Sequence, residues 1–157
     1  MYPYGAQLNS VSVAYLADYG CTVCYLQTYG AATTSNNISS CTGPYLFVGG
    51  RATSNSTFTL GAFDSSTSIL TQTPINRPHQ SNGVYWYFTQ SKSFGFSRNA
   101  RVIQYWYDVY DLDSDGRLSW ILYGDGGARL GSIHDLYHSI DYMKAIYNCP
   151  APTEIAN

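Results

Sequence analysis

Apolar and polar positions alternate, or β-branched and aromatic residues cluster, in short runs along almost the whole chain. The pattern predicts strands at 11–16, 22–28, 44–50, 57–63, 68–73, 83–89, 93–97, 101–110, 117–123 and 142–148. Between them lie Gly49-Gly50, Asn82-Gly83, Asp115-Gly116 and Gly126-Gly127, dipeptides that supply the positive φ of tight turns. Short strands punctuated this regularly predict an all-β fold, an antiparallel two-sheet sandwich of jelly-roll type. The longest break, 73–82, contains Pro74 and Pro78 and reads as the crossover between the two halves of the sandwich. One segment departs from the strand period: Ile133, Leu136, Ile140, Met143 and Tyr147 recur at spacings of three and four, compatible with a short helix over 132–142.

Within the strongest runs, Val84, Trp86 and Phe88 fall on one face, as do Leu118, Trp120 and Leu122, and both sets are expected in the core. Tyr85 and Tyr87 then fall on the opposite face. If Ile103, Tyr105, Tyr107 and Val109 also point inward, then Gln104, Trp106, Asp108 and Tyr110 point outward. An indole between an amide and a carboxylate suits a pyranose, whose C–H face packs on aromatic rings while the polar groups meet its hydroxyls. Gln104, Trp106 and Asp108, with Tyr85 and Tyr87, are therefore candidate carbohydrate-stacking residues. The same composition also serves for burial against the core or against another chain, the commoner use of such residues.

The 157 residues are 45% apolar, 16% aromatic and only 11% charged, enough for one sizeable core and too little charge for a disordered chain. A net charge of -2 provides no basic surface for nucleic acid, and no apolar run approaches the length of a membrane span. Sixteen tyrosines against eight lysines and arginines, in a chain rich in serine and threonine, give an extracellular-looking, β-forming composition. Residues 1–20 read as an N-terminal arm and strand, 21–149 as the sandwich and 150–157 as a C-terminal tail. Met1 to Gly5 lacks the basic and apolar regions of a secretory leader, so the numbered chain is expected to be a mature or trimmed form.

Cys21, Cys24, Cys41 and Cys149 form an even set with three possible pairings. The Cys21-Thr22-Val23-Cys24 spacing matches a redox pair, but that chemistry wants a helix N-terminus and the flanks here are strand-like. Two disulfides are expected, with Cys21 and Cys24 each reaching a different partner. Asn37-Ile38-Ser39 and Asn55-Ser56-Thr57 are N-glycosylation sequons in polar stretches that read as surface loops. Cysteines and sequons together point to a secreted, extracellular or cell-surface protein.

Asp111-Leu112-Asp113-Ser114-Asp115-Gly116-Arg117 carries carboxylates at positions one, three and five and glycine at six. It resembles the first part of an EF-hand-type calcium loop, which implies a cation held by Asp111, Asp113, Asp115 and the Arg117 carbonyl. Position twelve of that loop is Leu122 instead of a bidentate glutamate, so the implied calcium site is short of ligands and weak. The plainer reading makes Asp115-Gly116 the turn of a hairpin joining 102–110 to 118–123. His134-Asp135-Leu136-Tyr137-His138 mimics a zinc-protease motif with aspartate in place of glutamate and no third ligand. Glu154 is the only glutamate, and no nucleophile-elbow or phosphate-loop motif occurs.

These observations favour a non-catalytic secreted structural protein, a subunit of an extracellular fibre built from copies of itself. Leu8, Val11, Val13 and Tyr15 form the candidate assembly strand, which can add to a neighbour's sheet edge. The alternative is a lectin-like carbohydrate-binding or adhesion module, with or without calcium.

Overall fold

A computed structural model describes residues 2–101, 103–104, 109–110, 115–123 and 127–152. The chain folds as an antiparallel β-sandwich. The first sheet takes β1 (Gln7–Ser12), β2 (Thr22–Thr28), β3 (Tyr45–Ala52) and β4 (Thr57–Ser65), with three short helices α1 (Val13–Asp18), α2 (Ser35–Ser39) and α3 (Ser66–Leu70) beside them. The second sheet is built by β5 (His79–Ser81), β6 (Val84–Thr89), β7 (Ser93–Ser97), β10 (Leu118–Ile121) and β11 (Gly127–Leu130). A two-stranded hairpin, β8 (Ile103–Gln104) with β9 (Val109–Tyr110), lies between β7 and β10 in sequence. The last strand, β12 (Tyr142–Cys149), returns to the first sheet and inserts between β3 and β2, giving the order β1-β4-β3-β12-β2. The second sheet runs β11-β10-β7-β6-β5.

The core between the sheets is the one the alternation predicts: Val84, Trp86, Phe88, Leu118, Trp120 and Leu122 meet Leu46, Val48, Leu60, Ala62 and Ile146. Tyr29, fully buried just after β2, links the two layers. Its hydroxyl donates to the Arg129 carbonyl and accepts from the Trp120 indole N–H, each at 3.2 Å. Burial pushes its phenol far above the ordinary range, so the group stays neutral and serves as a hydrogen-bonding strut. The crossover expected at 73–82 does carry the chain from the first sheet to the second, although its last residues form β5.

Both sheets are also covered on their outer faces, which period-two patterning could not reveal. On the first sheet, Phe47, Phe58, Phe63 and Tyr147 form a second apolar cluster closed by Tyr2, Val11 and Leu16. Gly49 and Gly50, expected as a turn, lie inside β3. The reason is the Phe47 ring, which lies over Gly49 and Gly61; a Cβ on Gly61 would stand 2.2 Å from Phe47 Cζ. Asn82-Gly83 does form the expected tight turn, with φ of 50° and 78°.

Several local expectations are corrected. The first strand ends at Ser12, because the Ser12 side chain accepts from the Tyr15 N–H and starts α1. Val13 and Tyr15 therefore sit on a helix. The run at 68–73 is α3 and its exit, capped by Ser65 in the same way. The 132–142 segment is not helical, and its helical spacing instead feeds turns and β12. The hairpin proposed between 102–110 and 118–123 does not form: β9 pairs with β8, while β10 pairs with β7 and β11.

The two disulfides join Cys21 to Cys149 and Cys24 to Cys41, so the close pair does reach two different partners. The first ties the start of β2 to the end of β12; the second ties β2 to the exit of α2.

Candidate functional site

Tyr87 is fully buried on the outer face of the second sheet and its hydroxyl donates to the Leu118 carbonyl at 2.5 Å. Gln104 is buried too. Its carboxamide nitrogen donates to the Ser93 hydroxyl at 2.5 Å and to that of Thr89 at 3.2 Å, and its oxygen accepts from the Asn76 N–H at 2.8 Å. Both side chains are buried, so these two of the five stacking candidates are not exposed to a sugar: Gln104 is pinned onto β6 and β7, and Tyr87 is tied to β10. Tyr85 is half-buried. Trp106 and Asp108 lie outside the described residues.

Of the calcium-loop residues, Asp111 and Asp113 also lie outside the described residues. Asp115 is exposed at a turn. The Arg117 carbonyl, the implied backbone ligand, accepts the Gly131 N–H at 2.8 Å. Among the described residues no group of three or more His, Cys, Asp or Glu is gathered as a metal site demands. His134 pairs with its neighbour Asp135 at 2.9 Å, and no helix aligns it with His138.

The candidate assembly strand divides. Leu8 and Val11 are in β1, which pairs with β4 of the same chain, and Val11 is buried beneath it. The Tyr15 ring, on α1, packs tilted against Tyr19 with centroids 4.9 Å apart, and Tyr19 against Tyr2 at 5.3 Å; the Tyr2 hydroxyl donates to the Pro150 carbonyl. Burial, then the hydrogen bond and repulsion from Tyr19, push the Tyr15 phenol up to about 12. This arm is thus fastened to its own sheet.

The opposite edge of that sheet is β2. Among the described residues it has a strand partner on one side only, β12. Its seven residues, Thr-Val-Cys-Tyr-Leu-Gln-Thr, carry no charge and no proline, and Val23 and Leu26 are 51% and 37% exposed. A register shift beside Tyr25 is its one irregularity. The edge was legible in sequence as an uncharged strand, but which strand lies at an edge is a matter of long-range pairing.

The burial of cationic side chains escaped the sequence reading: Lys144, Arg117 and Arg129 are all buried. Lys144, on β12, is wholly buried and donates to the Ala31 carbonyl at 2.6 Å and the Thr33 hydroxyl at 2.5 Å. Thr33 shares a further 2.5 Å hydrogen bond with the Tyr25 hydroxyl. Desolvation lowers the Lys144 amine from 10.5 to about 7. A lone lysine in an alternating strand gives no sign of burial.

The two sequons differ in setting. Asn37 lies inside α2, where its carboxamide oxygen accepts from the Thr34 N–H and hydroxyl in a capping box. Asn55 is exposed in the β3–β4 turn, and its oxygen accepts from the Thr57 N–H at 3.0 Å.

No protein-family model, curated protein or solved structure matches the chain. Among the described residues no helix is long and apolar enough to cross a membrane.

Proposed function

We propose that the protein is a secreted, non-catalytic structural subunit that assembles with copies of itself by pairing sheet edges. The observation that carries the reading is β2: a seven-residue, uncharged strand with exposed Val23 and Leu26 and, among the described residues, no strand partner on one side. Proteins that stay monomeric guard such an edge with lysine, proline or a covering segment. Among the described residues this edge has no strand on its outer side, and what interrupts it is the register shift beside Tyr25 and the Cys24–Cys41 tie to the exit of α2. The exchanged arm of residues 1–20 is the weaker route, because β1 and Tyr2 are already committed to their own chain. Two disulfides and low charge support the extracellular setting, where bridges persist and dry contacts between copies are favourable.

The test is particle size, by light scattering and negative-stain microscopy, for the native chain and for Leu26→Lys. Oligomers or filaments from the native chain, reduced to monomers by the lysine, are the expected result. A chain that stays a compact monomer at all concentrations overturns the reading.

A further inference from the structure

The turn between β3 and β4 sits beside a groove of about 500 Å3 lined by Ala52, Thr53, Ser54, Ile140, Asp141 and Tyr142. Two distant segments build it and are locked together. The Thr53 N–H donates to the Asp141 carbonyl at 2.7 Å, and the Thr53 hydroxyl donates to the Ile140 carbonyl at 2.9 Å. Ile140 is 73% exposed, the wettest large aliphatic side chain among the described residues, and Tyr142 stands next to it in the groove. An aliphatic and an aromatic side chain beside a carboxylate and two hydroxyls form the mixed surface that a pyranose recognises.

Asn55 follows the groove wall by one residue. Its backbone is fixed: the Arg51 guanidinium donates to the Asn55 carbonyl at 2.9 Å and to those of Ala52 and Thr53 at 3.3 Å. Its carboxamide oxygen is taken by the Thr57 N–H, in the same sequon, which leaves Nδ2 as the free group of an exposed side chain. Nδ2 is the atom to which an N-linked sugar attaches. Asn37 likewise has its carboxamide oxygen taken, by the Thr34 N–H and hydroxyl, but it lies on α2, which contributes no residue to the lining of this groove.

We propose that Asn55 carries an N-linked glycan whose first sugar lies in this groove, with its C–H face on Ile140 and Tyr142 and its hydroxyls toward Asp141 and Ser54. In the transfer, the Nδ2–C1 bond forms and the C1–O bond of a lipid-pyrophosphate-linked oligosaccharide breaks. The leaving lipid pyrophosphate and one amide proton balance the step. The inference rests on the secretory part of the function above and is independent of self-assembly. The glycan explains why Ile140 is left in water by the protein alone: it is covered after modification.

The test is expression of the full chain behind a secretory leader in a glycosylating eukaryotic host, followed by peptide mass spectrometry. Hydrogen exchange over 138–144 is then compared for the native glycoform, the form trimmed to one sugar, and Asn55→Gln. The expected result is occupancy at Asn55 and several-fold slower exchange in both glycosylated forms than in Asn55→Gln. Ile140→Ser, an exposed substitution that leaves the core alone, is expected to keep occupancy and lose most of the protection. Secreted protein with Asn55 unmodified overturns the site, and a modified Asn55 with unchanged exchange overturns the groove. Chain that is retained unsecreted with its cysteines reduced overturns the secretory reading itself, whatever its state of assembly.

Discussion

Lys144 holds an amine in the dry interior with two neutral oxygen acceptors for company, those of Ala31 and Thr33. Taking the charged form out of water is costly, and desolvation brings the group down from 10.5 to about 7. The unfolded chain therefore binds a proton that the folded chain does not between those two values. Stability from this residue rises with pH across that window, by about 1.4 kcal/mol per pH unit at most, and its penalty is fully present below about pH 7. Lys144→Met removes the penalty with a side chain of similar length. Urea unfolding at a series of pH values is expected to show the variant more stable than the native chain at pH 6, with the gap closing toward pH 10. Equal stabilities throughout would mean that the amine keeps its charge solvated in the fold. The raised tyrosines, Tyr25 and Tyr29 among them, act only at the alkaline end and are common to both proteins.

At the scale of elements, Gln104 of the β8–β9 hairpin places its side chain on a sheet the hairpin does not belong to. Gln104 joins β8 to Ser93 of β7, Thr89 of β6 and Asn76 of the crossover. Gln104→Ala leaves the buried Ser93 hydroxyl without that donor, an expected loss of about 1–3 kcal/mol in chemical unfolding. A surface residue of a sugar platform would cost only a few tenths, so the size of the loss discriminates between the two roles. The same residue shows where sequence reading stops. Alternation identified the inward faces of β6 and β10 correctly, since Val84, Trp86, Leu118 and Trp120 are buried whatever covers the other side. It put Tyr87 and Gln104 on the opposite faces and left open whether a sugar or other protein covers them, because period two separates faces without saying which are roofed. The helices were missed for a related reason: α1, α2 and α3 span five or six residues each, too short to display a 3.6 period. Their Ser12, Thr34 and Ser65 caps were the local signal available. For the candidate site, the sequon at Asn55 was plain in sequence, whereas the groove beside it depends on 140–142 arriving from the far end of the chain. The free edge at β2 likewise follows from where β12 inserts.

For the whole molecule, that insertion makes the fold depend on contacts between its two ends. β12 completes the first sheet only after the second sheet has been threaded, and Cys21–Cys149 closes a separation of 128 residues around both. Cys24–Cys41 closes 17. If each bridge acts by restricting the unfolded chain, the logarithmic dependence on loop length makes the long one worth about 2 kcal/mol more than the short one. Cys21 and Cys149 also lie in the apolar cluster on the outer face, beside Tyr147 and Leu16, where alanine leaves little room for collapse. The pair Cys21→Ala/Cys149→Ala is therefore expected to lose more stability than Cys24→Ala/Cys41→Ala, with a larger denaturant slope because its unfolded state expands further. Equal losses would shift the explanation to native packing: Cys41 is fully buried in the core between the sheets, and losing its bridge would then cost as much through the freed α2 as through chain entropy. A greater loss for the short bridge would mean that β2 is held chiefly by α2 and not by β12, and the free edge would then be a strand that loosens as a unit before the sandwich opens.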